Sequence, residues 1–206
     1  MKSISDWKII TERIAQHRNE NTKTQYSQLL CAFLVTAEDH RFWNHPGVDL
    51  ISLIRAIWKT KIHKKREGGS TVAMQLVRTI TAKYNLSLWR KIREIYYALR
   101  VSLIIRKSDV LNIYLSIAYF GWNMHGIEQA CKRLGYDIQN LSNYEMASLI
   151  ARLKYPEPRS YSKIKRKLIK CRADHIIRRH AKLESKTLYG KFFSPKRVEE
   201  DYRHLS

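Results

Sequence analysis

The chain has few of the residues that interrupt regular structure. It contains 7 glycines and 4 prolines among 206 residues, and 44% of its residues are hydrophobic. Such a composition favours a mainly α-helical fold, and no segment shows an alternation of apolar and polar residues that would predict a β-strand. The length is sufficient for one domain to bury a full hydrophobic core.

Cysteine is scarce as well. Cys31, Cys131 and Cys171 are odd in number and far apart in the sequence. Their spacing excludes a disulfide framework and a cysteine-based metal site. Cys31 lies in an apolar run and is predicted to be a small core residue.

Long hydrophobic runs are missing too. The longest, Leu29 to Ala37, is about half of the roughly 20 residues that a membrane span needs. No apolar segment follows the first lysine, so the start is unlike a secretory signal. We therefore expect neither a membrane span nor an export signal in the sequence.

Acidic residues are outnumbered. The chain has 39 Lys and Arg against 18 Asp and Glu, which gives a formal net charge of +21. A charge of this size indicates a polyanionic partner, either nucleic acid, an anionic membrane surface or a phosphate-bearing substrate. The net charge alone does not indicate which of these three kinds of partner is bound.

Although acidic residues are few, Glu38 and Asp39 lie in a short stretch that also contains His40, His45 and Asp49. The stretch follows the apolar run directly. A carboxylate at the end of an apolar helix is a candidate general base. The bland alternative, a helix end followed by a solvated loop, fits the same residues.

Helical periodicity predicts the other elements. Asp49 is a good N-cap for one helix, and Ser70 or Thr71 can cap the next. The second of these helices is entered through two glycines and could expose N–H groups to an anion, although an ordinary amphipathic helix fits equally well. A helix over 87–106 is predicted to bury a stripe of apolar residues: Leu88, Ile92, Ile95, Leu99 and Leu103. Further helices are predicted over 108–119 (capped by Ser108 and Asp109), 127–134, 142–153 (with a capping box from Ser142 to Glu145) and 163–183.

Five motif-like stretches follow one another over roughly residues 30 to 161. They comprise Glu38, Asp39, Phe42, His45, Gly47, Asp49 and Arg55; Gly68 to Thr71 with Gln75 to Arg78; Arg90, Lys91 and Glu94; Val110, Leu111, Tyr114, Leu115, Gly121 and Gly126; and Ala147 to Leu153 with Pro156 and Tyr161. In this order they resemble the motifs of the family 51 glycosyltransferases, the peptidoglycan polymerases. One such motif would be weak evidence, whereas five in order are specific.

The resemblance implies a mainly α, lysozyme-like fold with a long substrate cleft. It divides the chain into an N-terminal arm or peripheral helix (1–25), a glycosyltransferase domain (26–161) and a basic helical tail (162–206). The implied reaction polymerises lipid II, with inversion at the anomeric carbon and loss of a lipid pyrophosphate. A hydroxyl acceptor needs a general base, and a departing pyrophosphate needs positive charge.

The resemblance also implies roles for single residues. Glu38 is the general base and Glu94 the second catalytic carboxylate. The implied substrate-binding residues are Arg55, Ser70, Thr71, Gln75, Arg78, Lys91 and Arg93. The implied loop-orienting residues are Asp39, Phe42 and His45.

Several positions depart from the usual family residue: Met74, Thr79, Leu86, Ser102, Asn112, Ser116 and Asn123. Both carboxylates are kept, so we expect an active enzyme whose substrate binding and rate depend on these positions.

The implied partners are lipid II, the nascent glycan strand and an anionic membrane surface, at the periplasmic face of the inner membrane. Nucleic acid is not expected. A Mg²⁺ ion with the pyrophosphate is implied only at the family level, since no ligand cluster demands it. Two alternatives stay open: a lysozyme-like enzyme that cleaves glycan, and a non-catalytic protein that binds a polyanion through its tail.

Overall fold

The structure is a computed structural model, and it describes residues 5–20, 26–63, 68–85 and 87–185. The predicted mainly α fold is confirmed. Parts of the predicted arm and tail (1–4, 21–25 and 186–206), together with Leu86, lie outside the described residues. The predicted three-part division of the chain stays a prediction.

The chain forms two compact units. The first contains the described parts of Met1–Gln25 and Glu38–Tyr114, and the second those of Tyr26–Ala37 and Leu115–Ser206. In chain order the helices are α1 (Asp6–Glu20), α2 (Gln28–Glu38), α3 (Leu50–His63), α4 (Val72–Thr81), α5 (Leu88–Ile104), α6 (Lys107–Ile117), α7 (Ile127–Leu134), α8 (Asn143–Lys154) and α9 (Lys163–Glu184).

In the first unit, α4 packs against both α1 and α5. The Thr71 side chain accepts a hydrogen bond from the N–H of Met74 and thereby caps α4, as one of the two predicted candidates. Six successive α4 residues, from Val72 to Val77, are buried. The helix is therefore a central element of this unit rather than an amphipathic surface helix.

The buried face of α5 differs from the predicted one. Leu88, Ile92, Leu99 and Leu103 are exposed, Leu103 to 81% of its surface. The buried residues are Glu94, Ala98 and Val101, which follow one another at helical spacing on another face. The predicted apolar stripe was thus wrong: α5 packs against α4, and its covered face carries Glu94, Ala98 and Val101 while the large apolar side chains face solvent.

In the second unit, α9 packs along α8 and buries Ile169, Ala173, Ile176 and His180. The His180 ring stacks on Phe33 of α2 at a centroid distance of 4.5 Å. Cys31 lies in the buried face of α2, as predicted, and burial raises the pKa of its thiol to about 12.

The sequence analysis missed a small antiparallel sheet in this unit. Strand β1 (Tyr119–Gly121) pairs with β2 (Met124–His125). The tight turn between them gives Asn123 a φ of +55°, a left-handed conformation that asparagine tolerates better than most residues. Asparagine is therefore compatible with this position.

The start of α6 was also predicted wrongly. The helix begins at Lys107, so Ser108 and Asp109 lie within its first turn instead of capping it. The Asp109 carboxylate accepts hydrogen bonds from the Arg106 side chain at 3.2 and 3.3 Å. The predicted capping box of α8 is present, with both of its Ser142–Glu145 hydrogen bonds.

Candidate active site

Glu38 is the last residue of α2 and follows a run of buried residues from Leu30 to Ala37. Its side chain is partly exposed, and its Oε2 accepts a hydrogen bond from Nε2 of Gln75 at 3.0 Å. The Oε1 of Gln75 accepts in turn from the hydroxyl of Tyr114 at 2.7 Å. A directed chain of hydrogen bonds therefore runs from the phenol through the amide to the carboxylate.

Tyr114 is well suited to begin this chain. Burial raises the pKa of its phenol, the negative charge of Glu38 raises it further, and the positive charge of Arg78 opposes the shift. The phenol therefore keeps its proton and acts as a donor at any physiological pH. The charges of Glu38 and Arg78 therefore both act on the same phenol, in opposite directions.

Asp39 ties the acidic loop to α4. Its carboxylate contacts Nε2 of His45 at 3.0 and 3.1 Å and accepts a hydrogen bond from the backbone N–H of Val72 at 3.2 Å. Val72 is the first residue of α4, where a negative charge is stabilised by the helix dipole. Asp39 itself thus supplies an anion at this helix N-terminus.

The rest of the loop is held by buried contacts. Phe42 is buried and meets the His45 ring edge to face, at 6.2 Å between centroids. The Nζ of Lys107 donates to the carbonyl oxygens of Phe42 and Trp43 at 3.1 and 2.8 Å. These contacts agree with the loop-orienting role that the resemblance implies for Phe42 and His45, a role that stays a prediction.

Gly47 closes the loop against α5. Its φ is +91°, and the Thr71 hydroxyl donates to its carbonyl oxygen at 2.6 Å. A Cβ atom at Gly47 would lie 2.2 Å from Oγ of Ser102 and 2.7 Å from the carbonyl oxygen of Ala98. Both the backbone conformation and the space around it therefore require glycine here.

Asp49 caps α3, as predicted. Its Oδ1 accepts from the N–H of Ser52 at 3.0 Å, and its Oδ2 from the Ser52 hydroxyl at 2.6 Å. Burial works to raise the pKa of Asp49, but these hydrogen bonds and the nearby Arg41 charge outweigh it, so the pKa lies below its ordinary value.

Cations gather around the buried Glu94. Its carboxylate pairs closely with Arg90 and lies 3.8 Å from Nζ of Lys91. The Lys91 ammonium donates to the hydroxyl of Ser70 at 2.7 Å. Burial lowers the pKa of Lys91, Glu94 opposes this, and the charges of Arg78 and Arg90 lower it further. Arg90 and Lys91 therefore lie beside one carboxylate, and together with Arg78, whose charge acts on Lys91, they form a positive cluster.

Two predicted substrate-binding residues contact other groups. The guanidinium of Arg93 pairs with Asp6 of α1, which also binds Nζ of Lys83 at 2.6 Å. The guanidinium of Arg55 donates to the hydroxyl of Ser52 at 3.1 Å. A role for either residue in binding substrate stays a prediction.

The altered positions Met74, Ser102 and Asn112 have different surroundings. Met74 is fully buried in α4. The Ser102 hydroxyl donates to the carbonyl oxygen of Ala98 at 2.9 Å, beside Gly47. The buried Oδ1 of Asn112 has no hydrogen-bond donor among the described residues.

Two residues of the site are not predicted by the sequence. Tyr114 stands there only as part of a motif, since a tyrosine in a helix carries no signal that it reaches a glutamine 39 positions away. Asp6 lies in a stretch whose helical periodicity is weak. Within the described ranges, no group of three or more His, Cys, Asp and Glu could hold a metal ion.

Comparison with known proteins gives consistent matches. The sequence profile of the transglycosylase family matches residues 7–181. Penicillin-binding protein 1A of Rickettsia typhi is 32% identical over 162 residues, which are 74% of this chain and 20% of that protein. Penicillin-binding protein 1A of Pseudomonas aeruginosa is 35% identical over 153 residues, 73% of this chain and 19% of that protein.

A monofunctional glycosyltransferase of Staphylococcus aureus (strain JH9) is 36% identical over 96 residues, which are 47% of this chain and 36% of that protein. The chain thus spans about a fifth of the length of the penicillin-binding proteins and about a third of the monofunctional enzyme.

Proposed function

The chain belongs to the transglycosylase family, and on that basis we propose that it is a peptidoglycan glycosyltransferase that polymerises lipid II into glycan strands. The observation that carries the proposal is the arrangement around Tyr114. Glu38 is hydrogen-bonded through Gln75 to this tyrosine, and Arg78 of the positive cluster acts on the same phenol. A base and a phosphate-binding group are both needed for the reaction.

Glu38 takes the proton from the 4-hydroxyl of the acceptor sugar. The oxygen attacks the anomeric carbon of the donor, a new C–O bond forms with inversion, and the bond to the lipid pyrophosphate breaks. The leaving group departs with the electron pair. Gln75 and Tyr114 orient the base. The amide nitrogen of Gln75 donates to the Glu38 carboxylate, and its amide oxygen accepts from the Tyr114 hydroxyl, so both ends of the Gln75 side chain are held within the protein.

Arg78 and Lys91 neutralise the charge that develops on the pyrophosphate. Arg78 is the stronger candidate for direct contact, because a guanidinium fork can bind two phosphate oxygens at once. Glu94 pairs with Arg90 and lies 3.8 Å from Nζ of Lys91, which supports a role in orienting these cations. In the proposal it is also the second catalytic carboxylate, which assists the leaving group.

A Mg²⁺ ion held mainly by the pyrophosphate would fit beside Glu94. The Oε2 of Glu94 is buried and has no hydrogen-bond donor among the described residues. Mg²⁺ commonly binds one or two carboxylates together with substrate phosphates and water. When bound, the ion would supply further positive charge to the leaving group.

Attachment to an anionic membrane surface is supported by the exposed residues of the first unit. Large apolar side chains are exposed on α3 and α5: Leu50, Ile51, Ile54, Trp58, Ile62, Leu88, Trp89, Ile92, Tyr96, Leu99, Leu103 and Ile104. Exposed apolar side chains on a strongly basic protein suit the lipid headgroup region, where electrostatic attraction contributes roughly 1 kcal/mol for each Lys or Arg near anionic lipid.

Of the helices that the structure describes, none has the length and apolar character of a membrane span. From the family resemblance, we propose that the enzyme acts at the periplasmic face of the inner membrane.

Replacing Glu38 with Gln tests the proposal. The change keeps the size of the side chain and one oxygen that can accept from the Gln75 amide, but it removes the base. We expect polymerisation of labelled lipid II in vesicles that contain anionic lipid, with and without Mg²⁺, to be abolished, and the melting temperature to be kept. Glu12→Gln, in an exposed ion pair on α1, is the matched control and should retain activity. Glycan strands made by the Glu38→Gln protein would overturn the assignment.

The same assays separate the alternative functions. Release of soluble sugar from purified peptidoglycan, without consumption of lipid II, would indicate a glycan-cleaving enzyme. Absence of both activities, together with binding of DNA, would indicate a non-catalytic protein that binds polyanions.

A further inference from the structure

The second unit contains a cavity that the proposed reaction does not use. It has a volume of about 610 Å³, within the range of about 300–1,000 Å³ that is typical of small-molecule sites. Its walls come from the end of α7, from α8, from the segment 157–161 and from the first half of α9. Three lining residues, Ser148, Arg152 and Tyr161, belong to the fifth family motif, but none of the lining residues has been given a role in glycosyl transfer.

The cavity wall is strongly cationic. It includes Arg133, Arg159, Arg166 and Lys170, none of which has an acidic partner in the described part of the chain. Arg133 and Arg159 both lie over the ring of Trp122, at 4.5 and 5.4 Å from its centroid. Both guanidiniums thus contact one aromatic ring and neither is paired with a carboxylate among the described residues, so their N–H groups are available to an anion.

The fifth cation of the wall, Arg152, is already neutralised. It is buried, donates from Nε to Oε2 of Glu157 at 2.9 Å and bonds both the carbonyl and the hydroxyl of Ser148. The charge of Arg152 is thus balanced by Glu157, and the excess positive charge of the cavity comes from the four cations that have no acidic partner among the described residues.

Aromatic rings complete the wall. Tyr136, Tyr144 and Tyr161 line the cavity, and Tyr161 is 72% exposed. The guanidinium of Arg166 lies 4.7 Å from the Tyr161 ring centroid, so a cation and an exposed ring are presented side by side. Flat rings of this kind stack on sugars and bases, whereas arginines bind phosphate oxygens.

We propose that this cavity is a binding site for a ligand that joins a sugar or nucleoside ring to a diphosphate group. The cations Arg133, Arg159, Arg166 and Lys170 bind the diphosphate, and Tyr161 packs on the ring. The site needs no turnover at Glu38, so it stands independently of the proposed glycosyl transfer.

Calorimetric titration of the full chain tests the proposal, with uridine diphosphate, inorganic pyrophosphate and uridine as probes. We expect saturable binding of uridine diphosphate, weaker binding of pyrophosphate and no measurable binding of uridine. Titration with a sugar nucleotide and with a polyprenyl diphosphate in micelles then distinguishes a soluble from a lipid-linked source of the ligand.

Two double variants of α9 with equal loss of charge separate a site from bulk attraction. Arg166→Gln with Lys170→Gln removes two cations of the cavity, whereas Lys163→Gln with Lys167→Gln removes two exposed cations outside its lining. We expect the first pair to raise the Kd for uridine diphosphate by about tenfold or more, since contacts to charged groups are strong, and the second pair by less than about twofold. Tyr161→Ala should weaken uridine diphosphate but not pyrophosphate.

Equal weakening in both double variants would assign the binding to net charge and overturn the proposal. So would the lack of saturable binding up to about 10 mM, far weaker than specific ligand binding. Tighter binding of a single-stranded oligonucleotide, lost in the cavity variant alone, would replace the small ligand with nucleic acid. Melting temperatures of all variants verify that they fold.

Discussion

The amide Nε2 of Gln75 donates a hydrogen bond to Oε2 of Glu38 at 3.0 Å, across 37 positions of sequence. Helix α4 thereby fixes the proposed base of the reaction, although the base itself ends α2. The orientation of Glu38 therefore depends on a residue that does not have to touch the substrate.

Replacing Gln75 with Leu should lower kcat by about 10- to 100-fold. A hydrogen bond to a charged group is worth about 1.5–3 kcal/mol, and each 1.4 kcal/mol is a factor of ten in rate. The KM for lipid II should change less, because the lost contact orients the base. Steady-state polymerisation kinetics provide the measurement.

The double variant Gln75→Leu with Tyr114→Phe is the control for this change. Gln75→Leu alone leaves the buried Tyr114 hydroxyl without its acceptor, at a cost of about 1–3 kcal/mol. Removing that hydroxyl should restore stability without restoring kcat. Recovery of kcat in the double variant would show that the single variant failed through misfolding.

Replacing Gly47 with Ala should destabilise the protein by more than about 2 kcal/mol. The new Cβ would meet Ser102 and the backbone of Ala98, and the left-handed backbone alone costs about 1–2 kcal/mol for a residue other than glycine. Thermal unfolding should show a fall of at least about 4–8 °C for a chain of this size.

Two other glycines separate these contributions. Gly135 has a φ of +71° with open space around it, so Gly135→Ala measures the backbone cost alone. Gly68 has open space and no left-handed backbone, so Gly68→Ala should be close to neutral. A loss at Gly47 no larger than that at Gly135 would contradict the close packing against α5.

The alkaline limb of the pH–activity profile should depend on Lys91. Burial lowers the pKa of this ammonium from its ordinary value of 10.5, so its charge is lost at a lower pH than usual. Activity should therefore fall as the pH rises through this lowered pKa, and Lys91→Arg should remove that limb because arginine keeps its charge. An unchanged limb in Lys91→Arg would assign it to another group.

The same shift affects stability with the opposite sign. Between the lowered pKa and the ordinary one, the unfolded chain binds a proton at Lys91 that the folded chain lacks, so the contribution to the free energy of unfolding rises with pH. Denaturant unfolding over this window, compared with Lys91→Arg, measures the difference.

Replacing Asp6 with Asn should free Arg93 from its ion pair. If Arg93 binds the pyrophosphate, as the family motifs imply, the KM for lipid II should fall by up to about fivefold, since an exposed charge contact is worth about 0.2–1 kcal/mol. Adding Arg93→Gln should abolish the gain. An unchanged KM in Asp6→Asn would limit Arg93 to holding α1.

Local signals in the sequence predicted the elements that depend on them. The bounds of α7 were predicted as they are found, because Gly126 and Gly135 flank an uninterrupted helical segment. The caps Asp49, Thr71 and Ser142 were predicted by their side chains. In each case the contacts that define the feature lie within a few residues.

Features that depend on distant contacts were not predicted. Periodicity identified a leucine stripe on α5, but which face is covered depends on α4, and the covered face is the one with Ala98 and Val101. The pairing of β1 with β2 involves too few residues to show alternation. The Glu38–Gln75–Tyr114 chain joins three separate segments, so only the fold reveals it.

The hydrogen bond from the Val72 N–H to Asp39 limits how α4 can recognise a substrate. Asp39 is part of the same chain, so its carboxylate competes for this N–H at an effective concentration that dilution does not lower. A free phosphate would have to displace an anion that never diffuses away. This N–H therefore cannot discriminate between phosphate-bearing substrates, and we expect side chains such as Arg78, which substitution can alter one at a time, to do so.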